Sequence, residues 1–222
     1  MLKPQGYGTL SVLDAQNSGH MRMKPLTAEK TAVLASSSYF RGLGQVLART
    51  DSAVVDQIAD AIWQTYERAR TVYLFGNGAC AALASHFACD LAKGTIVGDR
   101  RRLRAVALTD NAPLLTAWAN DSHYDEIFAE QLRNLVEEGD LVLAISASGN
   151  SRNVLRGLEV ARAAGARIVG LTGYEGGLLR ERCDLCLVVP SDNMQHIEDV
   201  HLSAAHAIYT ALRRRMTQRE GE

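Results

Sequence analysis

The sequence has no long hydrophobic run and almost no excess of charge of either sign. No apolar stretch approaches the roughly 18–20 residues that a membrane-spanning helix requires, and the first residues lack the basic segment and apolar core of an export signal. Lysine and arginine number 24 against 25 aspartate and glutamate, so the formal net charge is −1. Because a protein without a basic surface field has little nonspecific affinity for polyanions, we predict a cytoplasmic protein that binds neither nucleic acid nor membrane.

Cysteine is also scarce, with four residues in a chain of 222. A disulfide scaffold, which is typical of small secreted domains, is therefore not expected. Cys183 and Cys186 do form a C-x-x-C pattern, but it lies in the apolar run CDLCLVVP rather than at the junction of a strand and a helix. We interpret these two cysteines as buried thiols rather than as a redox pair, because free cysteine is among the most buried residue types.

What the chain does contain is an ordinary globular composition, with 47% hydrophobic and 22% charged residues. A length of 222 residues suits one domain with a sizeable core. The first 26 residues are polar and lack periodicity. We therefore predict a flexible tail over 1–26, a single domain over 27–216 that includes an N-terminal helical arm, and a short tail over 217–222.

Two helical patterns open the domain, from Thr27 to about Thr50 and from Asp51 or Ser52 to about Arg70. Five short apolar runs then alternate with helical stretches. The runs are TVYLF, RAVAL, DLVLAIS, ARIVGLT and DLCLVVP, and helices are expected at about 79–93, 113–119, 124–137, 151–164, 177–182 and 194–215. This alternation predicts an α/β fold with a doubly wound, five-stranded parallel sheet flanked by helices. The apolar faces of the two N-terminal helices are compatible with packing between subunits.

In such a sheet the ligand lies beyond the carboxyl ends of the strands, where loops and helix N-termini converge. The richest loop there is SASGNS, which contributes the hydroxyls of Ser146, Ser148 and Ser151 and the carboxamide of Asn150. Unpaired N–H groups and the helix dipole at the start of the next helix favour an anion, and a phosphate monoester fits these donors. The alternative is that these side chains only cap the helix and that Gly149 only turns the chain.

A second strand-to-helix loop, GNGACAA, carries Asn77, whose amide can face a sugar hydroxyl or a phosphate. Its lone G-x-G lacks the third glycine of a dinucleotide-binding fingerprint, so a nicotinamide cofactor is not indicated. A plain turn is the structural alternative.

Histidine and acidic residues recur at helical spacing in two of the predicted helices. His86 and Asp90 are four residues apart and therefore project from one face. In the last helix Glu198 lies eight residues before His206, about 80° around the axis, whereas Asp199 lies seven residues before it and is nearly eclipsed with it. Spacing alone favours Asp199 as the partner of His206.

Several motifs in one order carry a resemblance to a known family. They are GNGACAALASHFACDLAKG, TDNAPLLTAWANDSHYDEIF, EEGDLVLAISASGNSRNVL, GLTGYEGG and IEDVHLSAAH. The chain resembles the sugar isomerase (SIS) domain proteins of the phosphoheptose isomerase family over most of residues 30–216. The resemblance implies a homotetramer with active sites at subunit boundaries. It also implies conversion of sedoheptulose 7-phosphate to D-glycero-D-manno-heptose 7-phosphate through a cis-enediol.

The resemblance assigns roles to residues of this chain. Asp90 takes the position of the family's catalytic base and His206 that of its catalytic acid. Some family members bind zinc, so the resemblance implies one Zn²⁺ per subunit held by His86, Asp90, Glu198 and His206, whose side chains can all hold this ion. The alternative is that these side chains are solvated or hydrogen-bonded core groups without a metal. The alignment selects Glu198 for the site, and Asp199 stays a competitor.

The same resemblance indicates the residues that contact the sugar phosphate. They are Asn77, Cys80, Asp110, Ser146, Ser148, Asn150, Ser151 and Glu198. Helix capping is the alternative role for Asp110. This chain departs from the family's usual pattern at four positions, where Asp90 replaces Glu, Glu198 replaces Gln, Cys80 replaces Ser and Ala147 replaces Thr. A changed substrate is therefore an open alternative.

Three further alternatives concern phosphate binding and function. The basic run from Arg100 to Arg104 can supply a phosphate-binding arginine to a neighbouring subunit or form a solvated loop. The motifs TAWAND, GNSR and LTGYEGG also resemble a noncatalytic SIS tetramer that binds a bacterial replication initiator, although that relative lacks the carboxylate and histidine found here at Asp90 and His206. A sensor that binds a sugar phosphate without reacting is the last alternative.

Overall fold

A computed structural model describes residues 36–218 of the chain. The predicted tail over 1–26 and the predicted helix start at Thr27 lie outside the described residues. The described part begins with two helices, α1 (Ser36–Arg49) and α2 (Ser52–Glu67). Asp51 separates them and caps α2, because its carboxylate accepts the N–H of Ala53 at 3.0 Å. The predicted boundary between these helices is therefore confirmed.

Five strands alternate with helices through the rest of the chain, as the sequence predicts. The strands are β1 (Thr71–Gly76), β2 (Arg104–Ala107), β3 (Leu141–Ile145), β4 (Arg167–Thr172) and β5 (Leu185–Val188). The helices after α2 are α3 (Ala79–Cys89), α4 (Ala112–Asp121), α5 (Ala129–Leu135), α6 (Arg152–Ala163), α7 (Gly177–Arg182) and α8 (Met194–Gln218). Within residues 36–218 no helix is long and apolar enough to cross a membrane.

Two of the predicted helices are interrupted in the structure. The helix predicted at 79–93 leaves the α conformation after Cys89 and continues as a π-helical turn over Asp90–Gly94. The helix predicted at 124–137 is a 3₁₀ turn over Tyr124–Glu126 followed by α5. It ends early because the N–H of Glu137 is bonded to the Asp140 carboxylate at 2.9 Å. A π turn changes the side-chain spacing too little for apolar periodicity to reveal it.

The five strands form one parallel sheet in the order β2-β1-β3-β4-β5. The predicted doubly wound α/β fold is therefore confirmed. From β1 the chain passes to β2 on one side, and β3 then pairs with β1 on the other side. The direction of winding thus reverses between β1 and β3, which creates a crevice where the loops after these two strands diverge.

Apolar layers cover both faces of the sheet. One layer joins the strands to α2, α3 and α8, and the other joins them to α5, α6 and α7. Successive residues of β1 alternate between them, so that Leu74 enters the first layer and Phe75 the second, where its ring stacks on Phe128 at a centroid distance of 4.8 Å. The continuous apolar runs of the strands follow from burial on both faces.

The cysteines are all free thiols, and they differ in exposure. Cys80 is buried and Cys89 is exposed, whereas Cys183 and Cys186 are partly buried. The two thiols of the C-x-x-C pattern are less buried than expected, because β5 is an edge strand of the sheet. A hydrogen bond between the two thiols raises the pKa of Cys183 and lowers that of Cys186.

His201 on α8 is a fully buried histidine in the layer beside α2 and α3. Its Nε2 lies 3.0 Å from the carbonyl oxygen of Thr172, and its Nδ1 is without a partner in the described part of the chain. Burial lowers the pKa of His201 to about 4, against the opposing effect of the Thr172 carbonyl. This histidine is therefore a neutral core residue at neutral pH.

We expect the free energy of unfolding to fall as the pH is lowered from about 6.5 to about 4. Between the two values the unfolded chain binds a proton on His201 that the folded chain does not, so acid favours unfolding. Across this pH range His201 should lower the free energy of unfolding by about 3 kcal/mol. Denaturant unfolding at several pH values measures it, with His201→Leu as the comparison, since the Thr172 carbonyl still accepts the N–H of Val189 at 2.8 Å in that variant. Equal pH dependence in both proteins would contradict the assignment.

Candidate active site

The loops that follow β1 and β3 lie side by side at the carboxyl edge of the sheet. The last residues of the two strands, Gly76 and Ile145, are register partners. Gly76 permits this close approach, because a Cβ there would lie 2.6 Å from the carbonyl oxygen of Ile145. Both loops therefore open into the crevice where the winding reverses, which is where ligands bind in open α/β sheets.

Residues 146–151, which we call the serine loop, lead from β3 into α6. Hydroxyl groups line this turn. Ser146 Oγ donates to Ser151 Oγ at 3.1 Å, and Ser148 Oγ accepts the backbone N–H of Asn150 at 3.3 Å. Ser151 stands at the N-cap position of α6 but makes no side-chain capping bond. The capping alternative is thus wrong for Ser151. Three hydroxyls in one turn at a helix N-terminus suit an anion.

Asn150 and Gly149 hold the serine loop against the start of α7. Asn150 Nδ2 donates to the carbonyl of Ser148 at 3.0 Å, and its Oδ1 accepts the N–H of Leu178 at 3.1 Å. Gly149 has a φ of +68°, and a Cβ there would lie 1.9 Å from the carbonyl oxygen of Gly176. Both polar atoms of the Asn150 carboxamide are therefore hydrogen-bonded within the protein, whereas the sequence predicts that this side chain contacts a phosphate.

Asn77 is held by residues that the sequence did not single out. Its carboxamide pairs reciprocally with that of Asn153 on α6, with both N···O distances at 2.8 Å, and the hydroxyl of Tyr124 donates to its Oδ1 at 3.1 Å. Asn153 is only 2% exposed. Asn153 is an asparagine within a predicted amphipathic helix, and this was the one signal in the sequence that could have singled it out. The sequence does not show that it pairs with Asn77. The pair ties the loop after β1 to the helix that follows the serine loop.

Cys80 and Glu198 lie at the end of the site nearest the serine loop. Burial is the main cause that raises the pKa of the Cys80 thiol, with a smaller contribution from the charge of Glu198 and an opposing one from the backbone of Ala147. The pKa of Glu198 is itself raised, first by partial burial and then by the charge of Asp199. The start of α3 and the first turns of α8 therefore lie close together beside the serine loop.

Two histidines and an aspartate lie further along α3 and α8, and we call them the His–Asp–His cluster. His86 Nε2 is 3.4 Å from Asp90 Oδ2 and 3.2 Å from His206 Nε2, and the remaining distance, from His206 Nε2 to Asp90 Oδ2, is 3.9 Å. The side chains of His86 and His206 are 47% and 50% exposed, and that of Asp90 is 25% exposed. Three of the four predicted metal ligands thus converge from two helices and stay open to solvent.

The donor set and spacing of this cluster fit a zinc ion. Two imidazole nitrogens and one carboxylate oxygen are common zinc ligands, and Zn–N and Zn–O bonds of about 2.0–2.2 Å imply neighbouring ligand atoms roughly 3.3–3.5 Å apart in a tetrahedral site. The distances of 3.2 and 3.4 Å agree with that spacing, and the third, 3.9 Å, would have to shorten by about 0.5 Å on binding. An open fourth position is typical of a catalytic rather than a structural zinc site.

Glu198 lies outside the His–Asp–His cluster, although the sequence groups it with those residues. It precedes His206 by eight residues, which separates the two by about 12 Å along α8. Asp199, its competitor, accepts the hydroxyl of Tyr39 on α1 at 2.6 Å, and the pKa of Tyr39 is raised to about 12 by burial and by this bond. Asp199 therefore supports the packing of α1 on α8, while Glu198 is the residue beside Cys80.

Asp110 follows β2 and lies in a different recess from the cluster. It accepts the hydroxyl of Ser85, and the recess of about 620 Å³ around them is lined by residues of α3, β2 and α4. Asn111 rather than Asp110 caps α4, since its side chain accepts the N–H of Leu114 at 3.1 Å. The capping alternative is therefore wrong for Asp110.

The basic run at 100–104 is anchored to the end of α2. Arg101 lies over the ring of Tyr66 at 4.7 Å and donates to carbonyls there, and Arg104 donates to the carbonyl of Ala69. Cations at a helix C-terminus are favourable because they satisfy free carbonyls and complement the helix dipole. The solvated-loop alternative is thus wrong for these two arginines.

Known proteins resemble this chain in sequence and in fold. A family model described as the SIS domain matches residues 38–173. The phosphoheptose isomerase of Aliarcobacter butzleri is 43% identical over 145 residues, which cover 65% of this chain and 76% of that protein. The phosphoheptose isomerase of Geobacter sulfurreducens is 38% identical over 172 residues, which cover 78% of this chain and 90% of the relative.

Solved structures agree with the sequence comparison. A phosphoheptose isomerase from Francisella tularensis superimposes with a TM-score of 0.76 at 31% identity and covers 81% of this chain and 96% of its own. The phosphoheptose isomerase of Neisseria gonorrhoeae gives a TM-score of 0.74 at 29% identity, with 80% and 96% covered. The chain therefore belongs to the SIS domain family and, within it, to the phosphoheptose isomerases.

Proposed function

We propose that this protein is an aldose–ketose isomerase that converts sedoheptulose 7-phosphate to D-glycero-D-manno-heptose 7-phosphate. The observation that carries the proposal is the convergence of His86, Asp90 and His206, on the same α3 whose first turn lies beside a serine loop at a helix N-terminus. Membership of the phosphoheptose isomerases supports the reaction type. Because the relatives are named for this reaction, the seven-carbon sugar is the first substrate to test.

The distance between the two ends of the site, the serine loop and the His–Asp–His cluster, supports a long sugar. Cys80, which contacts the backbone beside the serine loop, precedes His86 by six residues, so the two are separated by about 9 Å along α3. An extended seven-carbon phosphate with C–C bonds of about 1.5 Å spans roughly 10 Å from phosphorus to its reacting carbons. A three-carbon phosphate is too short to occupy both ends.

The chemistry requires a base and an acid on either side of two adjacent carbons. In our proposal the serine loop holds the phosphate, and Asp90 removes the proton from the carbon beside the carbonyl. His206 gives a proton to the carbonyl oxygen, which yields a cis-enediol. Asp90 then gives its proton to the former carbonyl carbon, and His206 takes the proton from the hydroxyl of the neighbouring carbon, which becomes the new carbonyl. The 3.9 Å between Asp90 Oδ2 and His206 Nε2 places both groups within reach of one small substrate segment.

Zinc is part of the proposal, with His86, Asp90 and His206 as the residues that would hold it. When bound, the ion would polarise the substrate carbonyl in place of a proton from His206, because an imidazole nitrogen that ligates a metal carries no proton. A carboxylate has two oxygens, so Asp90 can direct Oδ2 toward the imidazoles and keep Oδ1 as the proton acceptor. Glu198, which lies beside Cys80, would contact the sugar near its phosphate end.

The homotetramer implied by the sequence belongs to the same proposal. Helix α1 exposes two large apolar side chains, Phe40 at 67% and Leu47 at 40%. They lie seven residues apart and hence on one face of the helix. A subunit contact would cover this face.

We expect the zinc-loaded protein to form aldose from sedoheptulose 7-phosphate and to bind about one zinc ion per chain. In D₂O the product should carry deuterium at the carbon beside its carbonyl, because the enediol route exchanges that proton with solvent. Elemental analysis measures the zinc content, a coupled assay measures aldose formation and proton NMR measures deuterium incorporation. Protein stripped with EDTA is the comparison. A folded, zinc-loaded protein that binds the sugar phosphate without turnover would contradict the proposal and favour the sensor.

A further inference from the structure

Gly94, the last residue of the π-helical turn, lies directly against Tyr209 of α8. A Cβ on Gly94 would be 2.6 Å from Cε2 of the Tyr209 ring and 3.0 Å from its hydroxyl oxygen. Real Cβ atoms do not approach other heavy atoms so closely, so no other residue fits here unless the ring moves. The tyrosine ring and the glycine backbone therefore set the separation of α8 from the π turn.

Hydrogen bonds reinforce the contact. The carbonyl of Gly94 accepts from the hydroxyl of Tyr209 at 3.4 Å and from the guanidinium of Arg213. The turn is also fixed from within, because the hydroxyl of the buried Thr95 donates to the carbonyl of Leu91 at 2.6 Å. The end of the π turn is thus held from both sides.

The same two elements carry the His–Asp–His cluster. Asp90 is the first residue of the π turn that Gly94 ends. On α8, His206 is followed by Tyr209 and Arg213 at three and seven residues, so the three side chains form one stripe along the helix. Any shift between the stripe and the turn therefore changes the distance between His206 and Asp90. Single π turns inside helices occur frequently at functional sites.

We infer that Gly94 and Tyr209 are a positioning pair, whose contact holds His206 at bonding distance from Asp90 and His86. This inference rests on the proposed function, because it gives the pair a role in metal binding and proton transfer. Neither residue belongs to the His–Asp–His cluster or to the serine loop. The pair acts through the spacing of two helices.

The test is Gly94→Ala. The added methyl group displaces the Tyr209 ring and with it α8, so we expect Co²⁺ to bind at least about tenfold more weakly, as is typical when support of a metal ligand is lost. The visible absorption of bound Co²⁺ should change in intensity, since it reports ligand geometry. In the zinc-loaded protein kcat should fall by a similar factor while KM stays nearly constant, because the serine loop is untouched.

Two further variants separate positioning from general damage. Gly139→Ala adds the same methyl group before β3, where the nearest atom to the new Cβ is 3.6 Å away; its φ of +83° should lower stability but leave Co²⁺ binding and kcat unchanged. Tyr209→Leu combined with Gly94→Ala removes the ring atoms that the new methyl group would strike, and should restore much of the Co²⁺ affinity. The rescued double variant also keeps the test valid if Gly94→Ala alone fails to fold.

The outcomes distinguish this inference from the function on which it rests. An active parent protein with unchanged Co²⁺ binding and kcat in Gly94→Ala would overturn the positioning role alone. The same holds if the double variant is no better than Gly94→Ala. A folded parent that neither binds Co²⁺ nor isomerises the sugar would overturn both proposals.

Discussion

Replacing Asp90 with asparagine is expected to lower kcat for sedoheptulose 7-phosphate by about 10³-fold, within the range for loss of a general base. The amide has nearly the same shape as the carboxylate but cannot accept the substrate proton. It also weakens one of the three ligands in the His–Asp–His cluster, where Asp90 Oδ2 lies 3.4 Å from His86 Nε2. KM should change little, because the substitution leaves the serine loop, which would hold the phosphate, unaltered.

Asp56→Asn provides the matched control, since it makes the same chemical change at an exposed aspartate of α2. Steady-state kinetics and zinc analysis of both variants, at full metal loading, separate loss of the base from loss of the metal. Asp90→Glu keeps the carboxylate and extends it by one methylene, so it should retain more activity than the amide. Activity of Asp90→Asn within a few-fold of the parent would show that another residue removes the proton.

The sheet and its helices could be predicted from local patterns because burial on both faces leaves a distinct mark on the sequence. Each strand is a short apolar run bounded by polar or turn residues, and the helix boundaries at Ser52, Ala79 and Gly177 were found within a residue. The crevice was also accessible, since ligands in this class of sheet bind beyond the carboxyl ends of the strands. The strand order that places the crevice between β1 and β3 was not predicted.

The residue types of the candidate site could be predicted from the sequence, but the hydrogen-bond partners of its side chains could not. Asn77 and Asn150 have the same chemistry whether they face a ligand or the protein, and only the positions of Asn153 and Leu178 show that their carboxamides are engaged. Likewise, angular spacing on α8 favoured Asp199, and the packing of Tyr39 decides its orientation. These contacts join residues far apart in the chain, which local periodicity cannot report.

The His–Asp–His cluster shows the same limit. The pair His86 and Asp90 follows from helical spacing, but its approach to His206 depends on how α3 and the π turn pack on α8. Helical spacing could not predict that these three residues converge, and only the resemblance to the family indicated it.

Gly149→Ala is expected to raise KM for sedoheptulose 7-phosphate by at least about tenfold and to destabilise the fold. The φ of +68° costs an alanine about 1–2 kcal/mol. The new methyl group would also lie 1.9 Å from the Gly176 carbonyl oxygen, a backbone atom that cannot rotate away. Relief requires the serine loop to move from the start of α7, which should cost about 1–3 kcal/mol more and displace the hydroxyls that would hold the phosphate.

Gly139→Ala isolates the second of these effects. Gly139 also has a positive φ, +83°, but the nearest atom to its added Cβ is 3.6 Å away, on the Arg70 side chain before β1. Its turn precedes β3, at the opposite edge of the sheet from the serine loop. Denaturant unfolding and steady-state kinetics of the two variants should therefore show a similar backbone penalty in both and a rise in KM only in Gly149→Ala. Equal KM values would mean that the serine loop does not hold the phosphate, because its displacement is the only difference that reaches the substrate.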